Sequence, residues 1–223
     1  MNNRSAARFA CVTACTVLAL SRVAAAAGTL AVTINSVTGA ALEGAVVIAE
    51  PLQSAARPRS GQKAVMDQHN LMFVPEVLVV QTGTAVDFPN SDQVRHQVYS
   101  FSGAKKFELA LYAGRAHAPI VFDKAGLVTL GCNIHDNMLG YIWVTDSPWY
   151  GRSAADGRVL LHELAPGEYT VRVWHALLNE GGAQLEQRVT ITDNQVSSAS
   201  FTLRRPLRAP THNHGADKRW EDY

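Results

Sequence analysis

Glu168-Tyr169-Thr170-Val171-Arg172-Val173-Trp174 alternates apolar and polar side chains at every step, the period of a half-buried β-strand. Working outward from it, the chain is a series of short β-rich runs punctuated by Gly, Pro, Asn and Asp. They are Leu30 to Ile34, Ala45 to Ala49, Val77 to Val80, Val86 to Phe88, Val94 to Phe101, Leu127 to Leu130, Tyr141 to Val144, Tyr169 to Trp174, Val189 to Thr192 and Ser198 to Leu203. No stretch holds a helical period between turn signals. The pattern predicts an all-β protein of one or two sandwiches.

The 223 residues are 47% hydrophobic and 17% charged, enough to bury a core. Residues 1–27 read as a secretory signal peptide: basic Arg4 and Arg8, an apolar stretch from Phe9 to Leu20, then Ala24-Ala25-Ala26-Ala27, with cleavage near Ala27. Val12-Thr13-Ala14-Cys15 is only a loose lipoprotein box, since the apolar stretch before Cys15 is short. The expected location is the periplasm or the exterior. Without Arg4, Arg8 and Arg22 the mature chain is slightly acidic, which argues against nucleic acid as a partner. No apolar run after residue 28 approaches the roughly 18 residues of a transmembrane helix. Loss of the leader also removes Cys11 and Cys15. Cys132 is then the lone thiol in an oxidising compartment, a liability unless something holds it as thiolate.

The two ends of the mature chain look like halves of one unit. Leu30-Ala31-Val32-Thr33-Ile34, Thr38-Gly39 and Gly44-Ala45-Val46-Val47-Ile48 resemble the opening of a prealbumin-like, carboxypeptidase-regulatory-type sandwich. Ala155-Asp156-Gly157-Arg158-Val159-Leu160 and Leu164-Ala165-Pro166-Gly167-Glu168-Tyr169 resemble its closing half. The expected organisation is a prealbumin-like sandwich from residues 28–60 and 147–204, an inserted domain at 61–146, and a flexible tail at 205–223 rich in Arg, Pro and His. A continuous single barrel is the competing arrangement.

The central segment ends in Gly131-Cys132-Asn133-Ile134-His135-Asp136-Asn137-Met138, and His96 stands upstream behind Phe88-Pro89-Asn90. One Cys, two His and one Met form the mixed soft and imidazole set that holds copper in a trigonal plane with a weak axial thioether. A strand end would deliver Cys132, a tight turn would return His135 to the same point, and Met138 would follow at the next strand. His96, from another strand end, would close the plane. Chance must supply both ligand identity and spacing to imitate this set.

These residues resemble the cupredoxins, the small blue copper proteins, and the short Cys-x-x-His-x-x-Met loop is most like that of amicyanin. Phe73-Val74-Pro75, Gly83-Thr84-Ala85-Val86-Asp87-Phe88, Asn90, Phe122, Gly126, Leu130, Gly140, Ile142 and Val144 also fall where that pattern places them. Met66-Asp67-Gln68 and the appended sandwich are similar to periplasmic cupredoxins of the methylamine-utilisation type. The resemblance implies a Greek-key cupredoxin β-sandwich with one type 1 copper per chain, held by His96, Cys132, His135 and Met138. It implies a hydrogen bond from the backbone or amide of Asn90 toward the Cys132 sulfur. It also implies single-electron transfer through His135 rather than enzymatic turnover, between redox partner proteins such as a dehydrogenase or a cytochrome c. The loop lacks amicyanin's prolines, and Ile134, Asp136 and Asn137 give it a more polar rim. A copper chaperone or buffer, an adhesion or scaffold sandwich with a vestigial site, and a catalytic copper with an open position are the rival readings.

The remaining candidates have structural explanations. His69, His117, His162 and His175 are expected to be ordinary hydrogen-bonded histidines, and Trp143, Trp149 and Trp174 to be core packing rather than an electron relay. His212 and His214 are read as part of a solvated tail.

Overall fold

The computed structural model describes residues 27–53, 61–115, 117–178 and 185–208, and over these the chain is all-β, with no helix. The expected signal peptide through residue 26 and the pair His212 and His214 lie outside the described residues. No helix among the described residues is long and apolar enough to cross a membrane.

With strands numbered in chain order, one sheet consists of β14 (Arg158–Leu164), β1 (Gly28–Asn35) and β17 (Val196–Thr202), in that order. Facing it is a second sheet ordered β13 (Tyr150–Arg152), β2 (Val46–Pro51), β15 (Gly167–Trp174) and β16 (Leu185–Ile191). β1 runs antiparallel to β14 and parallel to β17, so the first and last strands among the described residues share one sheet. Leu30, Val32 and Ile34 of β1 point inward, as do Tyr169, Val171 and Val173 of β15, and together they build a single core with Leu164 and Phe201. Each such buried side chain contributes about 1.5–3 kcal/mol. Leu207 packs against this core and the Arg208 N–H donates to the Leu177 carbonyl at 2.9 Å, so residues 205–208 of the expected tail still lie on the sandwich.

The chain leaves this sandwich after β2 and returns at β13. The strands between build another. Its smaller sheet is ordered β10 (Ile120–Phe122), β7 (Thr84–Asp87) and β3 (Lys63–Val65). Its larger sheet is ordered β6 (Val77–Gln81), β12 (Leu139–Thr145), β11 (Gly126–Gly131), β8 (His96–Phe101) and β9 (Lys106–Tyr112). A small hairpin, β4 (Asp67–His69) and β5 (Met72–Val74), closes one end. Phe73, Val86, Phe122, Val128, Leu130 and Ile142 fill the core, which also takes in Cys132 and Met138.

All ten runs read from the sequence lie in or on strands, although β8 begins at His96 rather than Val94. The alternation of β15 has two buried faces at its end. Tyr169, Val171 and Val173 face their own core, whereas Trp174 lies on the opposite side with Val46 and Ile48 and meets Val77 and Trp143 of the other sandwich. Trp143 and Trp174 are thus packed side chains, 7% and 4% exposed, and Trp149 stacks edge-on against Tyr169. The Arg152 guanidinium crosses the same seam to the Val77 carbonyl at 3.3 Å.

Candidate metal centre

Two strand ends and one loop bring three side chains, His96, Cys132 and His135, to one point. β11 ends at Gly131, two turns follow over residues 133–137, and β12 begins at Leu139. The Met138 N–H donates to the His135 carbonyl at 2.9 Å, which closes the loop on itself. His96 opens β8, two strand positions from β12 in the larger sheet.

The Nδ1 of His135 lies 3.7 Å from Cys132 Sγ and the Nδ1 of His96 lies 3.9 Å from it, with all three atoms within 4.8 Å of one another. The two imidazole rings are tilted at 59° with centroids 4.9 Å apart, so they converge rather than stack flat. His96 is fully buried and Cys132 is 4% exposed, while His135 keeps partial access to solvent. Burial, reinforced by the neighbouring His96 and opposed by Asp92, holds the His135 pKa below the usual imidazole value. A neutral ring is the form that binds a metal. A thiol and two imidazole nitrogens aimed at one desolvated point are a donor set suited to a thiophilic late transition ion such as copper, and unsuited to Mg or Ca, which take oxygen ligands.

Met138 is 1% exposed at the exit of the same loop and shares the core cluster of Cys132.

Asn90 departs from its expected role. Its backbone N–H donates to the Gly114 carbonyl at 2.8 Å, and its Nδ2 donates to the carbonyls of Val94 and Tyr112, both at 2.9 Å. Its Oδ1 accepts the Asp92 N–H at 2.9 Å. With both amide hydrogens and the backbone N–H directed elsewhere, Asn90 pins the 90–94 loop and does not donate to the Cys132 sulfur.

Asp92 is the site residue that sequence reasoning missed. Its Oδ2 lies 2.7 Å from His96 Nε2 and accepts the Leu71 N–H at 3.0 Å, while its Oδ1 accepts the Asn70 N–H at 2.6 Å. Burial works against its charge, yet the Leu71 amide, His96 and the Asn70 amide outweigh that and hold its pKa below the ordinary carboxylate value. An ionised carboxylate only accepts, so in this contact His96 Nε2–H is the donor. The signal was an acid four residues before a candidate ligand, but in a loop that spacing fixes no geometry.

The other histidines among the described residues have mundane contacts. His69 lies 3.9 Å from Asp92 Oδ1, His117 bonds the Ala110 carbonyl, His162 meets Thr29, and His175 bonds the Glu43 carbonyl.

Neither known family patterns nor curated proteins match this chain. Among solved structures it is similar to a Cu-containing nitrite reductase from Thermus scotoductus SA-01, with 25% identity and a TM-score of 0.36, over 43% of this chain and 25% of that one. The chain thus spans about a quarter of the reductase's length. It is similar to a purple cupredoxin from Nitrosopumilus maritimus, with 21% identity and a TM-score of 0.33, over 38% of this chain and 99% of that one. An amicyanin variant in its reduced state gives 21% identity and a TM-score of 0.34, over 44% of this chain and 98% of that one. Each likeness covers less than half of the chain.

Proposed function

We propose that this is a cupredoxin-like type 1 copper protein that carries single electrons between redox proteins in the periplasm and is not itself an enzyme. The observation that carries the reading is the convergence of two imidazole Nδ1 atoms on one buried thiol, at 3.7 and 3.9 Å. Copper in such a set supplies one-electron exchange between Cu(I) and Cu(II). His96, Cys132 and His135 would hold it, with Met138 as a weaker fourth ligand.

The protein's own residues suit that task. Cys132, His96 and Met138 are shielded by the core, so water is kept from the thiolate and the donors stay in fixed positions. Asp92 holds the His96 ring in the ligating tautomer. His135 alone of the three grouped donors reaches toward solvent, which makes its ring edge the port for an electron. Around it, exposed Ile134 stands beside the polar Asp136 and Asn137. A small mixed rim of this kind suits a weak, short-lived encounter with a dehydrogenase or a cytochrome c type partner.

The test is the visible and paramagnetic-resonance spectrum of the copper-loaded protein. The wild type is expected to show intense thiolate-to-copper absorption, and Cys132→Ser to lose it while remaining folded. A colourless wild type, or a band that survives in Cys132→Ser, refutes the assignment.

A further inference from the structure

We infer that the Asp92 carboxylate, held by the turn of the β4–β5 hairpin, is the positioning residue that fixes the His96 tautomer and lowers the reduction potential of the centre. The inference rests on the copper reading for the potential, but not for the tautomer.

The geometry has two parts. The first is the hairpin. Asn70 and Leu71 both have positive φ, 53° and 59°, the backbone of a tight two-residue turn between β4 and β5. That conformation points two successive amides the same way, and both land on Asp92, Asn70 on Oδ1 at 2.6 Å and Leu71 on Oδ2 at 3.0 Å. The second is the ligand. Oδ2 also takes His96 Nε2 at 2.7 Å, on a ring that is itself completely buried. Three donors therefore surround one carboxylate, and Asn90 Oδ1 anchors its backbone N–H. The side chain has little freedom to turn away.

Two consequences follow from charge and hydrogen bonding. An acceptor fixed at Nε2 keeps the proton on that nitrogen and leaves Nδ1 unprotonated and aimed at the sulfur. A full negative charge one imidazole away from the metal favours the oxidised ion, which carries one more positive charge than the reduced one. The His96 ring between that charge and the metal is fully buried and the Asp92 side chain is only 11% exposed, so water screens the interaction less than it would at an open surface.

The first measurement needs no variant. Long-range proton–nitrogen correlation NMR on the metal-free wild-type protein at mildly alkaline pH is expected to show His96 as the Nε2–H tautomer; Nδ1–H overturns the inference. The second is a redox titration of copper-loaded variants. Asp92→Asn keeps an acceptor for Nε2–H and removes the charge. It is expected to move the equilibrium with a fixed reference couple about tenfold toward the reduced form, or about 59 mV upward for one electron. Asp92→Glu, which restores the charge, is expected to return most of that shift. A potential in Asp92→Asn equal to wild type, in a protein that keeps its blue absorption, overturns the electrostatic role. If Asp92→Asn does not hold copper, the same two predictions fall on Asp92→Glu: Nε2–H in the metal-free protein, and a potential within threefold of the wild-type equilibrium. Failure of either overturns the inference. A wild type with no thiolate-to-copper band would instead refute the copper reading and leave the tautomer result standing.

Discussion

Phe73 lies so close over Gly140 that a Cβ at residue 140 would stand 2.8 Å from both the Cβ and the Cδ2 of the phenylalanine. The contact sets β5 against the strand that leaves the Cys132–Met138 loop, since β12 begins one residue before Gly140. Phe73 is 1% exposed and has no room to retreat. Gly140→Ala is therefore expected to cost about 1–3 kcal/mol by overpacking. Adding Phe73→Leu should not restore the loss, because the offending Cβ remains. Urea denaturation of the single and double variants checks this; a Gly140→Ala protein as stable as wild type would mean that the β4–β5 hairpin moves freely.

The seam between the two sandwiches offers a second test. Trp143 and Trp174 meet there with ring centroids 5.4 Å apart, and Tyr141 packs edge-on against Trp174 at 5.3 Å. Trp174 is 4% exposed, so Trp174→Ala should cost about 3–5 kcal/mol. Because the lost contacts join two separate cores, the unfolding transitions of the two sandwiches should lie further apart in the variant than in the wild type. Chemical denaturation followed both by the copper absorption and by far-ultraviolet dichroism reads this directly. Coincident transitions with a loss under about 1 kcal/mol would show that Trp174 is not what couples the two sandwiches.

What the sequence could reveal, and what it could not, follows the range of each signal. The β15 alternation and the apolar runs of β6, β11 and β12 are local, so their strands could be read directly. The three-residue strands β3, β4, β5, β10 and β13 are too short to establish any period, and tertiary pairing alone makes them strands. In β9, Lys106-Phe107-Glu108-Leu109-Ala110-Leu111-Tyr112 alternates only in part, since the strand is an edge of its sheet. β14 hides its period in Val159-Leu160-Leu161, where the middle leucine is exposed. The group His96, Cys132 and His135 was legible because ligand chemistry narrows the choices so strongly. Asp92 was not, because its place depends on a hairpin some twenty residues earlier in the chain. The Asn90 expectation failed for a related reason: a side chain with several hydrogen-bonding atoms has several possible partners, and only the folded loop selects among them.

The unequal burial of the two histidines predicts an asymmetry. His135 has partial solvent access and His96 has none. His135→Gly should leave an opening that exogenous imidazole enters, so the thiolate-to-copper absorption is weakened in the variant and regained on adding imidazole. His96→Gly should leave a closed cavity, from which the same imidazole concentration restores much less. Titrations of both variants with imidazole, followed in the visible, test this. Equal recovery in the two, or none in His135→Gly, would contradict the assigned orientation of the centre.

His175 gives the first sandwich a proton-linked weak point on the acid side. The Leu177 N–H donates to its Nδ1 at 3.1 Å, so that nitrogen is the acceptor, and Nε2–H then donates to the Glu43 carbonyl at 3.1 Å. Protonating Nδ1 breaks the first of these bonds. Burial lowers the His175 pKa, with the Glu43 carbonyl and Glu76 opposing and Arg152 assisting. The unfolded imidazole, near its ordinary value of about 6.5, thus takes up a proton at a pH where the folded one does not. Stability from this residue is complete above about pH 6.5 and declines as the pH falls toward the depressed folded value. In His175→Gln nothing titrates at this position. The stability difference between wild type and variant should be widest above about pH 7 and should narrow below about pH 6. Denaturant unfolding across that range measures the difference, and a constant gap would show that His175 is not proton-linked to folding.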